Sequence, residues 1–530
     1  MNETNISKVY LLSVPLESDY KHTLYFNSKE AQNNYFKSKI VKEYTNFTYQ
    51  RKDNVIYVPD HYDDIYNVNY VMYQNSKYNN KWFYAFVKNL KFENDECTIV
   101  EIETDVMQTW MFDYTLKPSF IEREHTKNDD VGVNIVDEGL ETGDFICNSK
   151  VIDEQGNDLF IYMAVSDYAG NVIGDVKGNL VNGVYSGMEY HAYNITTDAI
   201  KELNDEITEY DKASKADAIN SIFMGPAWLS GISPVGENGE FKNAILGKTN
   251  APKTYNTTFP KQTTINNYEP RNKKLLCYPY NYVLATNNAG SSAIYKYEHF
   301  TGDNCTFKVN GAVTPGCSIR MNPTNYKGVS VNNEEGLNAG KYPICCWNSD
   351  VYTNWQTQNG VNNALGIASG ALQIGAGLAM ALGTGGLGMA IGGGTVAGGV
   401  STITNVMAAK HQASLVPDQA RGNTNCGDVL TASGENTFMF YKMSIKHEFA
   451  RMIDGYFDMF GYKTNLIKIP NKAHRSRYWY TKTIDVNIDG SIPQDDMQKI
   501  KDCYNNGITF WRNASEIQDY SLSNDIAIIE

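Results

Sequence analysis

From Val351 to Ala409 the chain carries no charged residue. Between Trp355 and Phe438 it has no Phe, Tyr or Trp, although the whole chain is 12% aromatic. Gly and Ala dominate Ala364–Gly399. A surface helix or strand of an ordinary domain carries a polar face, and this run has none. A membrane-spanning helix needs about 20 apolar residues. Ala364–Ala409 is long enough for two such limbs, with "GTGG" (Gly383–Gly386) as the bend. Leu365, Ile367, Leu372, Ile374, Leu378, Met380 and Leu382 supply apolar contact on the first limb. Leu387, Met389, Ile391, Val396, Val400 and Ile403 do so on the second, and Gly383, Gly385 and Gly386 allow the turn. Pairs at four-residue spacing (Gly366/Gly370, Gly388/Gly392, Gly394/Gly398) permit close helix approach in lipid. Each glycine also costs a helix up to about 1 kcal/mol relative to Ala. That compromise fits a segment that is soluble in one state and membrane-active in another, and viral fusion peptides have a similar composition. A flexible or buried connector inside an oligomer is the alternative reading.

Gly383, Gly385 and Gly388 also fit the dinucleotide pattern G-x-G-x-x-G. That loop follows a β-branched strand and precedes an acidic residue by about 20 positions. Here the lead-in is "GALQIGAGLAMA" (Gly370–Ala381), and the next carboxylate after Gly388 is Asp418. No cofactor is expected. Other chemistry fails on similar grounds. His447 and Glu448 are followed by Arg451 and Met452, so no H-E-x-x-H zinc pair forms. "GIASG" and "GVYSG" place Ser one position late for a nucleophile elbow. "GKT" (Gly247–Thr249) lacks the first P-loop glycine, because position 242 is Lys242. A glycosidase-type carboxylate pair cannot be picked from so acidic a chain. The expectation is a protein without catalytic, metal or cofactor residues.

The net charge of −14 argues against gripping duplex DNA through phosphate contacts. It is compatible with DNA sliding past, because an acidic wall repels phosphate. Nine cysteines, without any C-x-x-C, and with Cys345 next to Cys346, point to a reducing assembly compartment. The first residues, "MNETNISKVYLLSVPL", carry no pattern of a secretory signal. The 37 tyrosines fit β-structure.

Periodicity gives a mainly β chain with some α. Four regions are expected: 1–150, mostly strand; 151–350, a β-rich middle; 351–435, the Gly-rich apolar loop with a polar return; and 436–530, mixed. "KWFYAFVKNLKF" (Lys81–Phe92), "ENDE" and "CTIVEIETD" (Cys97–Asp105) read as a hairpin, with Val100 and Ile102 on one face. Ser28 is placed to cap a helix lined by Ala31, Tyr35, Phe36 and Ile40. Asp198–Phe223 reads as helix through Ile200, Leu203, Ile207 and Tyr210, and "NYVLAT" and "CTFKV" as strands. Phe449, Met452, Ile453, Tyr456, Phe457 and Phe460 follow helical spacing, with Gly461 as C-cap. A second helix begins near Pro493, buries Met497, Ile500 and Tyr504, and ends at "NNG" before "ITFW".

Several stretches carry a resemblance. "NKWFYAFV" (Asn80–Val87), "DVMQTWMFDY" (Asp105–Tyr114), "SFIEREH" (Ser119–His125) and "DEGLETG" (Asp137–Gly143) lie in the first part. "EFARMIDGYFDMFGYKTNLIKIPN" (Glu448–Asn471) and "NNGITFW" (Asn505–Trp511) lie in the last. Together they resemble the distal tail tube, or tail knob, proteins of small short-tailed double-stranded DNA bacteriophages of Gram-positive bacteria. Residues 151–340 show no such match. The resemblance implies a hexameric ring at the tail tip of the virion, assembled in the host cytoplasm. Its N- and C-terminal segments would build a β-rich tube wall together. Loops here mapping to about Val361–Ala413 would plug the lumen, then enter the host cytoplasmic membrane as a channel. Implied partners are other copies, other tail proteins (proximal tube or collar, tip protein), that membrane, and duplex DNA passing without sequence-specific binding. The alternative is a tail protein that degrades cell wall or binds a receptor through its middle region.

Overall fold

The computed structural model describes residues 7–526 apart from 48–53, 76–78, 154–157, 167–179, 182–183, 186–187, 213–218, 234, 237–238, 241, 247–251, 288–290, 314–318, 328–335, 339–345, 349–437 and 472–474. The chain divides into two compact units. Unit 1 takes Met1–Gly143, Asn267–Leu275 and His447–Glu530, and unit 2 takes Asp144–Asn266 and Leu276–Lys446. The described residues are mainly β with α, as the patterning indicates.

Unit 1 holds an antiparallel six-stranded sheet in the order Ile40–Phe47, Ser7–Leu12, Tyr70–Asn75, Trp82–Asn94, Cys97–Thr104, Val55–Val58. The expected hairpin is present. Its two strands pair from Ala85↔Thr104 to Asn94↔Cys97, so the turn is the short Asp95–Glu96. Val100 and Ile102 face the core, as the alternation requires. The second sheet mixes the two ends of the chain. Its order is His22–Leu24, Ile508–Trp511, Tyr478–Ile484, Ser119–Glu124, Tyr462–Lys468. His22–Leu24 runs parallel to Ile508–Trp511, and Ser119–Glu124 is paired on both sides by C-terminal strands. One core cluster accordingly packs Val9, Val71 and Val100 with Trp479, Ile500 and Phe510. Trp479 stacks on Phe510 at 5.3 Å between ring centroids. Burying side chains of this size contributes roughly 1.5–3 kcal/mol each.

Local signals place the helices, and tertiary contacts turn them. Ser28 caps Lys29–Lys37 by accepting the Ala31 N–H at 3.1 Å. The buried face is Gln32 and Phe36, however, with Ala31 exposed and Ile40 already in a strand. The shift has a polar cause: the Gln32 amide donates to the Gln108 carbonyl and side chain at 2.8 and 3.0 Å. His447–Phe460 buries Ala450, Ile453, Asp454 and Phe457, while Met452 is 61% exposed. Gln494–Asn506 buries Ile500, Cys503 and Tyr504, and Met497 is only half-buried.

Unit 2 is built from three larger sheets. A five-stranded one runs Asn243–Ile245, Met188–Tyr193, Leu159–Ser166, Ile219–Pro226, Cys346–Asn348. Its central strand, "LFIYMAVS", is buried from Leu159 to Val165, as a strand covered on both faces must be. One four-stranded sheet runs Phe145–Ile152, Met439–Ile445, Asn281–Thr286, Ser292–Lys296. The other runs Lys253–Pro260, Asn304–Gly311, Ile319–Pro323, Leu337–Asn338. Phe160, Val283, Phe307 and Phe440 bring all three into one core. The helix expected over Asp198–Phe223 is shorter. Thr197–Lys212 is helical, with the expected buried face, but Ile219–Pro226 is a strand. Ile219, Ile222 and Phe223 lie off the helical stripe of Ile200, Leu203, Ile207 and Tyr210, and their strand pairs with Leu159–Ser166. Among the described residues no helix is long and apolar enough to cross a membrane.

Gly461 ends its helix at φ 62°, with its N–H on the Phe457 carbonyl at 2.8 Å. A β-carbon there would run into the backbone of Glu124 and His125, whereas one on Gly455, inside the same helix, meets nothing within 4 Å. Gly461→Ala should therefore destabilise the protein by more than about 1 kcal/mol, and Gly455→Ala should stabilise it by up to about 1 kcal/mol. Denaturant titration of the two variants checks the opposite signs.

Candidate functional site

All sixteen residues of the expected membrane loop, from Leu365 to Ile403, lie outside the described residues. Its two attachments are described, and both belong to unit 2. The chain leaves from Cys346–Asn348, the terminal strand of the five-stranded sheet, paired through Ile222↔Trp347. It returns as Met439–Ile445, an inner strand of a different sheet, held by Phe145–Ile152 on one side and Asn281–Thr286 on the other. The return strand is held on both of its edges and through its side chains. Met439 and Phe440 are fully buried, and Phe440 contacts the rings of Phe259 and Phe307 at 5.0 and 4.7 Å. Asp153 donates its N–H to the Phe438 carbonyl at 3.3 Å. Residues 349–437, outside the described residues, thus connect two strands of the same folded unit.

The motifs that carry the resemblance meet in unit 1 as a buried polar network. Glu138, with a fully buried side chain, pairs with Arg123 and Lys274 and accepts the Lys463 N–H at 3.0 Å. Arg123 also donates to the Gly461 carbonyl at 2.7 Å and lies over the Tyr456 ring. Asp454, fully buried, accepts from Tyr268 Oη at 2.6 Å, Arg271 N at 2.9 Å, Asn272 N at 3.0 Å and Asn272 Nδ2 at 2.8 Å. Glu124 pairs with Lys468 and accepts from Asn471 Nδ2 at 3.0 Å. Asp129 accepts from the Tyr462 hydroxyl and from Lys273 N at 3.2 Å. Burial holds the carboxyls of Glu124, Asp129 and Asp458 above their ordinary range, against the pull of these donors.

A cavity of about 220 Å³ adjoins this network, lined by His125, Asp129, Arg271, Asp458, Arg475 and residues 522–526 among others. Its two arginines are held within the fold. Arg271 pairs with Asp458, and Arg475 donates to the carbonyls of Thr126 and Asn524 at 3.0 and 3.2 Å. His125 Nδ1 accepts the Tyr480 N–H at 2.7 Å, which leaves Nε2 protonated and donating to the Asp458 carbonyl at 2.9 Å. Both ring nitrogens are used, so this imidazole is a brace rather than a proton carrier. In unit 2, His191 pairs with Glu206 at 2.6 Å but is buried between its strand and the helix Thr197–Lys212. Among the described residues no group of three His, Cys, Asp or Glu is arranged to hold a metal. Sequence reading missed these buried acids, because an acidic residue within an amphipathic helix or strand reads as solvated.

Burial, with Arg475 and Arg123 nearby, pushes the His125 imidazole down from 6.5 to about 3. Between those values the unfolded chain binds a proton that the fold refuses. This part of the stability is present above pH 6.5 and is lost as pH falls toward 3. The raised carboxyls act in the opposite sense, since the fold holds their protons more tightly. Comparing the chain with His125→Gln isolates the imidazole. The melting temperature of the unsubstituted protein should fall more steeply with acidification than that of the variant. Parallel pH slopes would contradict a neutral, buried His125.

The family described as Bacillus phage phi29, Tail knob protein gp9, C-terminal domain, matches residues 246–525. The family described as Caudoviral major tail protein N-terminus matches residues 4–115. The tail knob protein gp9 of Bacillus phage B103 is 26% identical, covering 97% of each chain. Those of Bacillus phages phi29 and PZA are each 28% identical, covering 97% of this chain and 98% of theirs. The solved tail knob protein gp12 of bacteriophage C1 superposes with a TM-score of 0.63 at 15% identity, covering 98% of this chain and 100% of that one, a likeness of fold. The chain belongs to the tail knob protein family of bacteriophages and is a structural component of the virion tail.

Proposed function

We propose that six copies form a hollow knob at the tail tip, next to other tail proteins. The Val361–Ala413 segments close the lumen before infection. They then leave it, enter the host cytoplasmic membrane and line a channel through which duplex DNA passes. One observation carries this reading: an uncharged stretch from Val351 to Ala409 lies in the chain between two strands of the same unit. Anchors that stay folded let the excursion change environment without unfolding the protein. Two limbs of about 20 residues match the span of a bilayer core. Their glycines weaken insertion of any single copy, and repetition around a ring multiplies a weak affinity. The net charge of −14 suits a passage that must not hold phosphate.

Release of an encapsulated dye from liposomes tests the membrane step. The full chain should cause leakage, and deletion of residues 361–409 should abolish it. Val396→Lys should weaken it severalfold, because Val396 lies near the middle of the second limb and a charge at the centre of a bilayer costs about 2.5–3.5 kcal/mol per helix. Leakage that survives the deletion would remove the membrane role.

A further inference from the structure

The sheet that receives the return strand is largely apolar on its outer side. Its strands are Phe145–Ile152, Met439–Ile445, Asn281–Thr286 and Ser292–Lys296, all in unit 2. Val283, Ala285, Tyr295 and Phe440 turn into the core. The alternate positions face away from it. Pairing sets them in two rows across all four strands: Cys147, Met443, Tyr282 and Lys296, then Lys150, Tyr441, Leu284 and Ile294. Directly opposed residues share a face. Ring contacts add two side chains to the first row. Phe145 and Tyr278 each meet Tyr282, at 5.6 and 5.8 Å between centroids, and the Lys296 ammonium lies 4.6 Å over the Tyr278 ring. A sheet face turned to water ordinarily carries polar side chains at such positions. Here Ile294 is 48% exposed, Tyr278 39% and Phe145 38%. The four strands hold no Asp or Glu, in a chain with 60 acidic residues against 46 basic ones.

We propose that this face rests on an anionic lipid surface, at the level of the headgroups. Tyr settles where hydrocarbon meets water, and a Lys stem lies along apolar surface while its ammonium reaches polar groups. Binding of this kind adds buried apolar area, here Phe145 and Ile294, to attraction between Lys and anionic lipid. A surface free of carboxylates meets that lipid without repulsion. Other occupants fit less well. Duplex DNA is held by many Lys and Arg on its phosphates, and the two rows hold only Lys150 and Lys296. A protein interface is depleted of Lys at its apolar centre, and here Lys296 sits against the rings. Tyr441 and Met443 lie on the strand that follows the apolar segment in the chain, which tethers this face to whatever that segment enters. The inference rests on the membrane step proposed above and adds a second surface to it.

The test is cosedimentation of the full chain with vesicles of phosphatidylcholine, alone or mixed with phosphatidylglycerol, read beside dye release. The unsubstituted chain should bind the phosphatidylglycerol vesicles more tightly, and less so as salt rises. Ile294→Asp combined with Lys296→Glu should bind them at least about tenfold more weakly, whereas Lys296→Arg should bind as the unsubstituted chain does. Lys150→Glu, at an exposed position of the other row, should weaken binding in its own right. These positions lie outside the core, so circular dichroism and melting temperature should match the unsubstituted protein. Equal binding by the double variant and by Lys150→Glu, with dye release intact, would overturn this face and leave the membrane step standing. A chain that neither binds vesicles nor releases dye would defeat both. A double variant whose oligomeric state changes in native mass spectrometry would give the face to a second copy and overturn the proposal.

Discussion

Glu138 is the point on which unit 1 turns. Its buried carboxylate meets Arg123 from the N-terminal segment and Lys274 from the middle of the chain, and it takes the Lys463 N–H from the C-terminal segment. A charge buried alone is far too costly to persist. Removing one partner of a buried pair typically costs 3–5 kcal/mol, although such a pair is seldom more stable than a well-packed apolar substitute. What the arrangement enforces is mutual dependence: only the register that brings all three segments together satisfies the carboxylate. Asp454 repeats the logic, its four hydrogen bonds coming from Tyr268, Arg271 and Asn272. Residues 267–275 are thereby fastened to unit 1, although the chain on either side of them belongs to unit 2.

This division bears on what the tail knob chain can do. Unit 1 is closed by interlocking strands from both ends of the chain and by buried acids. The strands that flank the apolar segment belong instead to unit 2, and the second of them is locked by Phe440 in the core. The segment proposed to change environment is therefore separated in the chain from the network that holds the N- and C-terminal segments together. The glycines within it favour neither a permanent helix nor a permanent strand, which suits a switch better than a fixed span.

Local physics was legible and long-range chemistry was not. The Ser28 cap, the Asp95–Glu96 hairpin and the Gly461 helix end each follow from residues within one or two turns of themselves. The face of His447–Phe460 holds Ile453 and Phe457 as expected but turns from Met452 toward Asp454, which reads as solvated until Tyr268, Arg271 and Asn272 bond to it. The helix expected over Asp198–Phe223 gives way to a strand at Ile219–Pro226 because that run pairs with Leu159–Ser166, a long-range contact that spacing along the chain does not show. The apolar excursion stood out by composition alone. His125 and Glu138 gave no local sign of burial, and no spacing rule within one chain would have found them. Their membership of the stretches that resembled other tail knob proteins was the available signal.

The central claim is that residues within the excursion meet lipid while their anchor stays in protein. A photoreactive side chain placed at Met389 or at Phe440 of the return strand tests it in assembled particles triggered on membranes. The account predicts lipid adducts from position 389 and none from 440. Adducts from neither position, or from 440 ahead of 389, would contradict it.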